Sequence, residues 1–177
     1  MQMIDFTRID YLKNGNERQK RAYEVLTKYH ILEKLEPYSA VLAGTIPIEI
    51  DVEGSDLDII CEVDLRFEED FLEDLTVRNL IPSDTEVKIE NITVNGEKSI
   101  VLNFMLEEFP IEIFGQNKPV TEQNAYRHMI AEYNILQEKG EDFKQKIIDL
   151  KKQGIKTEPA FGMLMNLKNP YEDLLKL

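Results

Sequence analysis

The chain has 177 residues, of which 42% are apolar and 31% charged, and its formal net charge is −13. This length fits one domain with a substantial core. The negative field disfavours broad nucleic-acid binding and suits a cationic ligand or a basic partner, or simply keeps the protein soluble. No run approaches the roughly 18 apolar residues of a membrane span, the first residues lack a signal-peptide pattern, and the single cysteine, Cys61, excludes an internal disulfide. We therefore expect a cytoplasmic protein.

The first half of the chain is predicted to combine helices with short strands. Apolar residues recur at helical spacing after the capping residues Asn14-Gly15-Asn16, and Pro37 is expected to end that helix. β-Branched residues after Asp56 indicate a strand. The predicted elements, in chain order, are a helix over 17–35, a strand over 39–42, an irregular connection over 45–55, a strand over 57–63 and a helix over 67–80.

The second half is predicted to complete the sheet and then to become helical. Asn95-Gly96 is a strong hairpin signal between strands over 86–94 and 98–106, and a short apolar strand follows over 111–114. Helical patterns cover 121–139, 141–153, 159–167 and 171–177. We expect an α+β fold, in which a mixed sheet with packed helices forms a core over 1–120 and the C-terminal helices of 121–177 pack on it within one domain.

Two carboxylates mark the start of the second strand. Asp56 and Asp58, separated by Leu57, point to the same face of a sheet, where two close negative charges require a cation. Glu112 is the single charge in the apolar strand Ile111-Glu112-Ile113, a costly position for an unpaired carboxylate. Hard oxygen ligands of this kind suit Mg²⁺ or Mn²⁺. Without a metal, the two aspartates would be strand-entry caps and Glu112 an edge-strand residue facing water.

The segment before these carboxylates contains a turn suited to phosphate. Gly44 leaves room for a phosphate to approach the backbone, and Thr45 offers a hydroxyl donor. The chain has neither a Gly-x-x-x-x-Gly-Lys loop nor a Gly-x-Gly-x-x-Gly fingerprint. Together with the two aspartates, the turn predicts a site for a metal-bound nucleoside triphosphate.

These motifs resemble the signature of the nucleotidyltransferase superfamily, which combines a Gly-Gly or Gly-Ser turn, an Asp-x-Asp or Asp-x-Glu pair and a third carboxylate on a later strand. The matching segments here are Gly44-Thr45, Ser55-Asp56-Leu57-Asp58-Ile59 and Ile111-Glu112-Ile113. Two later segments are similar to one small bacterial family of unknown function within that superfamily: Tyr126-Arg127-His128-Met129 and Lys156-Thr157-Glu158-Pro159-Ala160-Phe161. The resemblance implies a nucleotidyltransferase-like mixed sheet with a helical C-terminal segment.

The resemblance also implies roles for individual residues. Asp56, Asp58 and Glu112 would bind the metal ions and serve catalysis. Glu112 would in addition help to deprotonate an acceptor hydroxyl. The residues implied in substrate binding are Gly44, Thr45, Ser55, Lys118, Arg127 and His128.

The chain departs from this signature just after the turn. Thr45 replaces the commoner serine, and Ile46-Pro47-Ile48-Glu49 stands where many members have a basic residue or a second glycine. The countercharge for the phosphates would then come from Lys118 or Arg127.

One helix face beyond the sheet carries three polar residues at four-residue spacing: Asn124, His128 and Glu132. This face either contacts the substrate or is a solvated surface. Both alternatives are compatible with the sequence.

The implied reaction moves a nucleoside monophosphate from a Mg²⁺-bound nucleoside triphosphate to a hydroxyl of a small-molecule or protein acceptor. The missing basic residue favours instead a catalytically inactive regulator or interaction module of the same fold that binds nucleotide or metal. A nuclease or phosphohydrolase would use the same carboxylates with water as the nucleophile. The sequence leaves the base, the acceptor and the oligomeric state open.

Overall fold

The computed structural model describes residues 4–177, which form one five-stranded sheet with helices on both faces. The strands are β1 (Val41–Ala43), β2 (Leu57–Glu62), β3 (Lys88–Val94), β4 (Glu97–Leu106) and β5 (Phe109–Gln116). The helices are α1 (Glu17–Lys28), α2 (Ile31–Lys34), α3 (Glu68–Val77), α4 (Asn124–Lys139), α5 (Glu141–Lys152), α6 (Thr157–Met165) and α7 (Pro170–Asp173). Within this range, no helix has the length and apolar character needed to cross a membrane.

The strand order β1-β2-β5-β4-β3 makes neighbours of the two strands that carry the predicted carboxylates. β2 and β5 run parallel with Asp58 opposite Glu112, and the other three pairs are antiparallel. Because β5 lies at the centre of the sheet, Glu112 is not an edge-strand residue, and that alternative is wrong.

The alternation of side chains along β2 separates two apolar layers. Leu57, Ile59 and Cys61 join one buried cluster with residues of α1 and α3, such as Val25 and Phe71. On the opposite face, Ile60 joins a second cluster with residues of α4, α5 and α6. Asp58 shares that second face, so the predicted metal ligands lie between the sheet and the C-terminal helices.

Cys61 lies deep in the first layer and is fully buried. Burial raises the pKa of its thiol to about 12. Its backbone carbonyl accepts a hydrogen bond of 2.9 Å from Nε2 of Gln123, the residue just before α4. This contact joins the middle of the sheet to the start of the C-terminal helices.

The predicted α+β class with a mixed sheet is confirmed, and so is the hairpin. Asn95 and Gly96 connect β3 and β4 with φ angles of 50° and 81°. Both values lie in the left-handed region that a two-residue turn needs to match the twist of its strands.

The first predicted helix is too long, because His30 has a φ of 54° and breaks it after Lys28. Ser39 has a φ of 52°, which delays β1 until Val41. The apolar spacing continues across the first break, since Ile31 and Leu35 are fully buried in the same layer as α1. Periodicity alone therefore does not reveal the break.

Three later boundaries also differ from the prediction. A 3-10 turn over Val120–Glu122 and an extended Gln123 precede α4, so the helix begins at Asn124 rather than at 121. α6 begins at Thr157, because Pro159 fits within a first helical turn. β5 extends beyond 111–114 in both directions and includes Pro110.

Candidate active site

Three carboxylates meet at the point where β2 begins beside β5. Asp58 and Glu112 are register partners on these parallel strands, and Asp56 lies two residues before Asp58, on the same side of the chain. One carboxylate oxygen from each of the three residues lies within 4.8 Å of the other two. This spacing is compatible with ligation of a shared divalent cation.

The turn after β1 is shaped around one of these carboxylates. Gly44 has a φ of +85°, and a Cβ atom at this position would lie 2.2 Å from Oδ2 of Asp58. A side chain is therefore excluded both by the backbone conformation and by the close approach of the carboxylate. Gly44 and Thr45 both line the cavity in front of Asp58.

Burial and neighbouring negative charges raise the pKa of two of the three carboxylates, Asp58 and Glu112. Burial, followed by the charges of Asp56 and Glu112, raises the pKa of Asp58 well above its ordinary value. Burial and the charge of Asp56 also raise the pKa of Glu112. In the absence of a cation the site thus favours protons, and a bound divalent ion would offset the same repulsion.

The irregular connection between β1 and β2 is held from both helical layers. Gln19 of α1 donates from Nε2 to the carbonyls of Ile46 and Pro47 at 3.0 and 3.2 Å. Lys151 of α5 donates from Nζ to the carbonyl of Ile50 at 2.7 Å. These contacts fix the path of a segment without regular structure and so position both Gly44 and Asp56 at its ends.

Ser55 contributes to the structure of this connection. Its Oγ accepts a hydrogen bond of 2.9 Å from the backbone N–H of Val52. Its carbonyl accepts a longer bond of 3.4 Å from Nη2 of Arg18, whose guanidinium lies 4.2 Å from the centre of the Phe109 ring. Ser55 lies outside the residues that line the cavity, and its predicted contact with substrate remains a prediction.

A cavity of about 1040 Å³ extends from these carboxylates to the C-terminal helices. Lys118 and His128, two of the predicted substrate-binding residues, line it. Lys118 forms an ion pair with Glu97, another lining residue. Arg127 is exposed and lies outside the cavity lining, so the structure does not bring it together with the other predicted residues.

The helix face with His128 and Glu132 is not a solvated surface, and that alternative is wrong. His128 is 9% exposed and Glu132 only 4% exposed, and both line the cavity. Opposite them, α6 contributes Glu158 to the same lining. The four-residue spacing indicated the shared face, but burial of a glutamate there depends on helices that are distant in sequence.

Sequence reasoning missed Lys151 and the role of Glu158 as a neighbour of the site. Burial lowers the pKa of Lys151, while the charges of Glu132, Asp51, Glu158 and Asp58 act in the opposite direction. Its charge therefore acts on these carboxylates from a distance, while its ammonium donates to the carbonyl of Ile50. Its only local signal was an unremarkable Lys-Lys pair at the end of a helix.

Several solved structures have a similar fold. The GLD-2/RNP-8 complex matches with a TM-score of 0.53 and 13% identity over 87% of this chain and 60% of that chain. The polymerase core of TRAMP, an RNA surveillance complex, matches with a TM-score of 0.51 and 12% identity over 94% and 50%. The Cid1 poly(U) polymerase with bound MgGTP matches with a TM-score of 0.51 and 14% identity over 81% and 46%.

The chain spans between 37% and 60% of the length of these and related structures, and at such low identity the likeness shows the fold alone. No curated protein matches the sequence. Residues 24–177 match the model of the family described as a domain of unknown function, DUF4269. The chain therefore belongs to the DUF4269 family, and its fold is similar to that of the polymerase core of TRAMP.

Proposed function

We propose that the protein is a metal-dependent nucleotidyltransferase. It transfers a nucleoside monophosphate from a nucleoside triphosphate bound with Mg²⁺ or Mn²⁺ to a hydroxyl of an acceptor. One observation carries the proposal: Asp56, Asp58 and Glu112 place three carboxylate oxygens within 4.8 Å of one another, beside the tight turn at Gly44, in a fold of this class.

The residues fit a hard divalent cation. All three ligands are carboxylates, which Mg²⁺ and Mn²⁺ prefer, and burial raises the pKa of Asp58 and of Glu112, so that a cation stabilises their charged forms. When bound, such ions supply neutralisation of the phosphate charge and stabilise the leaving pyrophosphate.

Residues of the protein bind the phosphates and accept the proton of the acceptor hydroxyl. Gly44 and Thr45 offer backbone N–H groups and a hydroxyl to the phosphates at the mouth of the cavity. The acceptor oxygen attacks the α-phosphorus in line, and the bond to the bridging oxygen of pyrophosphate breaks. Glu112 accepts the hydroxyl proton, a role suited to a carboxylate whose pKa is raised by burial.

A second function, nucleotide binding without transfer, is favoured by the charges around the turn. Thr45 is followed by Ile46, Pro47, Ile48 and Glu49, none of which is basic. The two lysines nearest to this segment already bind groups of the protein. Lys144 pairs with Glu49 at 2.9 Å, and Lys151 binds the carbonyl of Ile50. Release of pyrophosphate separates the two functions, because a binding module does not consume the triphosphate.

The proposal is tested first by calorimetric titration of ATP, CTP, GTP and UTP in the presence of Mg²⁺ or Mn²⁺. We expect at least one nucleotide to bind only with metal, and the double variant Asp56→Ala/Asp58→Ala to lose that binding. Asp70→Ala/Asp84→Ala is the matched control, because it removes two exposed aspartates far from the cavity lining.

Pyrophosphate release is then measured with mixtures of hydroxyl-bearing acceptors. Release that depends on Asp56 and Asp58 supports transfer. Metal-dependent binding without release with any acceptor favours the regulator, and nucleotide binding that survives the double variant contradicts the assignment of the site.

A further inference from the structure

The cavity contains a buried carboxylate that the proposed transfer does not use. Glu132 of α4 is 4% exposed and lines the cavity. Among residues 4–177, no side chain forms a hydrogen bond or an ion pair with its carboxylate. Within the described residues its oxygens are not among the buried polar atoms that lack a partner, so they keep contact with the water of the cavity, where a donor of a ligand can reach them.

His128, one helical turn before Glu132, faces a second carboxylate. Its Nε2 lies 2.7 Å from the carbonyl oxygen of Tyr171, which can only accept, so Nε2 carries the hydrogen. Nδ1 then faces Oε1 of Glu158 at 3.5 Å. With Nε2 as the donor to Tyr171, the donor for the Glu158 carboxylate can come from water or from a ligand.

Lys151 does not neutralise this region. Its ammonium donates to the carbonyl of Ile50 at 2.7 Å, and within the described part of the chain it forms no ion pair with Glu132 or Glu158. It also lies outside the lining of the cavity. Glu132 and Glu158 thus line the cavity without an ion pair to this lysine.

The charge of the whole cavity points to the sign of the missing ligand. Its lining contains one lysine, Lys118, which is paired with Glu97. A triphosphate with two divalent ions would bring about as much positive as negative charge to the carboxylates at β2 and β5. Glu132, Glu158 and Glu172 are left over, on the helical side.

We propose that Glu132 and Glu158, with His128 beside Glu158, form a subsite for the ammonium group of the acceptor, which is therefore a hydroxyl-bearing amine. That the bound amine is the acceptor rests on the proposed transferase function. The binding of a cation at this subsite is argued from the geometry of α4 and α6 alone. Tyr171, which is 44% exposed and lines the same end, offers an aromatic face to the ammonium.

The reaction balances with such an acceptor. The hydroxyl oxygen forms the new bond to the α-phosphorus, the bond to pyrophosphate breaks, and the hydroxyl proton passes to Glu112. The ammonium group stays protonated at Glu132 and takes no part in the bond changes. A cavity of about 1040 Å³ accommodates a nucleotide and a small amine together.

The subsite is tested by calorimetric titration of 1,3-diamino-2-propanol in saturating Mg²⁺, so that the carboxylates of the sheet are already occupied. Glycerol has the same carbon skeleton without the charges and serves as the neutral probe. We expect the amine to bind and glycerol not to bind. We expect Glu132→Gln or Glu158→Gln to weaken amine binding by about tenfold or more, the effect of losing one desolvated charge partner.

Glu138→Gln is the matched control, because it removes the same charge from an exposed position on the same helix. It should change the affinity for the amine less than about twofold. Far-UV circular dichroism and the unfolding midpoint verify that each variant is folded.

The subsite is overturned if the amine does not bind, if both Glu132→Gln and Glu158→Gln bind it as tightly as the parent, or if Asp56→Ala/Asp58→Ala abolishes its binding. Pyrophosphate release distinguishes this failure from that of the proposed function. Amine binding that depends on Glu132, without release from any triphosphate, supports the subsite and contradicts transfer. Release with glycerol as efficient as with the amine supports transfer and overturns the subsite.

Discussion

The cavity has two acidic sides that differ in origin. On the sheet side, Asp58 and Glu112 are register partners on adjacent strands, and Asp56 joins them through the alternation of one strand. On the helical side, Glu132 and Glu158 come from α4 and α6, which are separated by the whole of α5. The first arrangement is rigid and clustered, as ligation of a metal requires. The second is dispersed, as contact with a larger organic cation requires.

Buried carboxylates in one cavity can bind different ligands, because their neighbours differ. Each side carries a group whose pKa is raised by burial, yet the neighbours of that group differ. The largest charge effects on Asp58 come from its neighbours Asp56 and Glu112, whereas the charge effects on Glu132 come from Glu158 and Lys151, which also act more weakly on Asp58. A change on one side should therefore affect the ligand of that side most.

The largest effect is expected on the sheet side, from Glu112→Gln. The amide keeps the shape but removes one metal ligand charge and the proposed base, so pyrophosphate release should fall by about 10³-fold. Glu90→Gln, on an exposed position of the edge strand β3, is the control. A loss smaller than about fivefold would contradict the assignment of catalysis to the sheet side of the cavity, because Glu112 would then be dispensable for the reaction.

Alanine variants at two glycines distinguish the effect of backbone strain from the effect of a clash with the proposed metal site. Gly44 and Gly54 have φ angles of +85° and +82°, but a Cβ at Gly44 meets Oδ2 of Asp58 at 2.2 Å while one at Gly54 meets nothing within 4 Å. Both alanine variants should lose about 1 kcal/mol of stability from the left-handed conformation. Only Gly44→Ala should also weaken metal-dependent nucleotide binding, by about tenfold or more.

These losses are measured by urea unfolding and by calorimetry. Equal nucleotide affinities for the two variants would mean that the close approach of Gly44 to Asp58 has no part in binding.

The helical side should show its effect in stability. Burial, with the charge of Glu158 from α6, raises the pKa of Glu132 well above its ordinary value, and Lys151 from α5 opposes this shift. Between the unfolded and folded pKa values the folded state holds more protons, so the stability of the parent falls as pH rises through that window. Glu132→Gln should remove this decline and stabilise the protein at neutral pH by about 1–3 kcal/mol.

Urea unfolding at several values between pH 4 and pH 8 checks this prediction, and the exposed control Glu138→Gln should keep the decline of the parent. A pH dependence that is identical in Glu132→Gln and the parent would show that Glu132 is not desolvated in the folded protein.

The smallest effect is expected where the two sides communicate, at Lys151. Its charge lowers the pKa of both Asp58 and Glu132, so Lys151→Met should move the onset of Mg²⁺ binding to higher pH. Lys144→Met is the matched control on the same helix, since Lys144 pairs with Glu49 instead. If the pH at which Mg²⁺ begins to bind is unchanged in Lys151→Met, the two sides of the cavity are electrostatically independent.

The sheet side could be predicted from the sequence because its geometry is local. One apolar residue between Asp56 and Asp58 fixes their common face, and a single charge within an apolar strand singles out Glu112. The hairpin was equally accessible, since Asn95-Gly96 carries its own turn chemistry. Each of these features depends on a few adjacent residues.

The helical side could not be predicted in the same way. Whether Glu132 faces water or a cavity depends on how α5 and α6 return to the sheet, and no spacing within α4 contains that information. Lys151 is equally hidden, because its neighbours Asp51 and Asp58 lie far from it in sequence. The break at His30 escaped because the apolar pattern continues through it.

The burial of Cys61 has a practical consequence. The chain has one thiol, buried on the inner strand β2 and with a pKa raised to about 12, so a thiol-directed reagent should modify it only when the sheet opens. A ligand that binds the closed form slows such labelling in proportion to its occupancy. The rate of modification of a single sulfur atom would thus report occupancy of either half of the cavity, by metal, nucleotide or amine, without an assay of turnover.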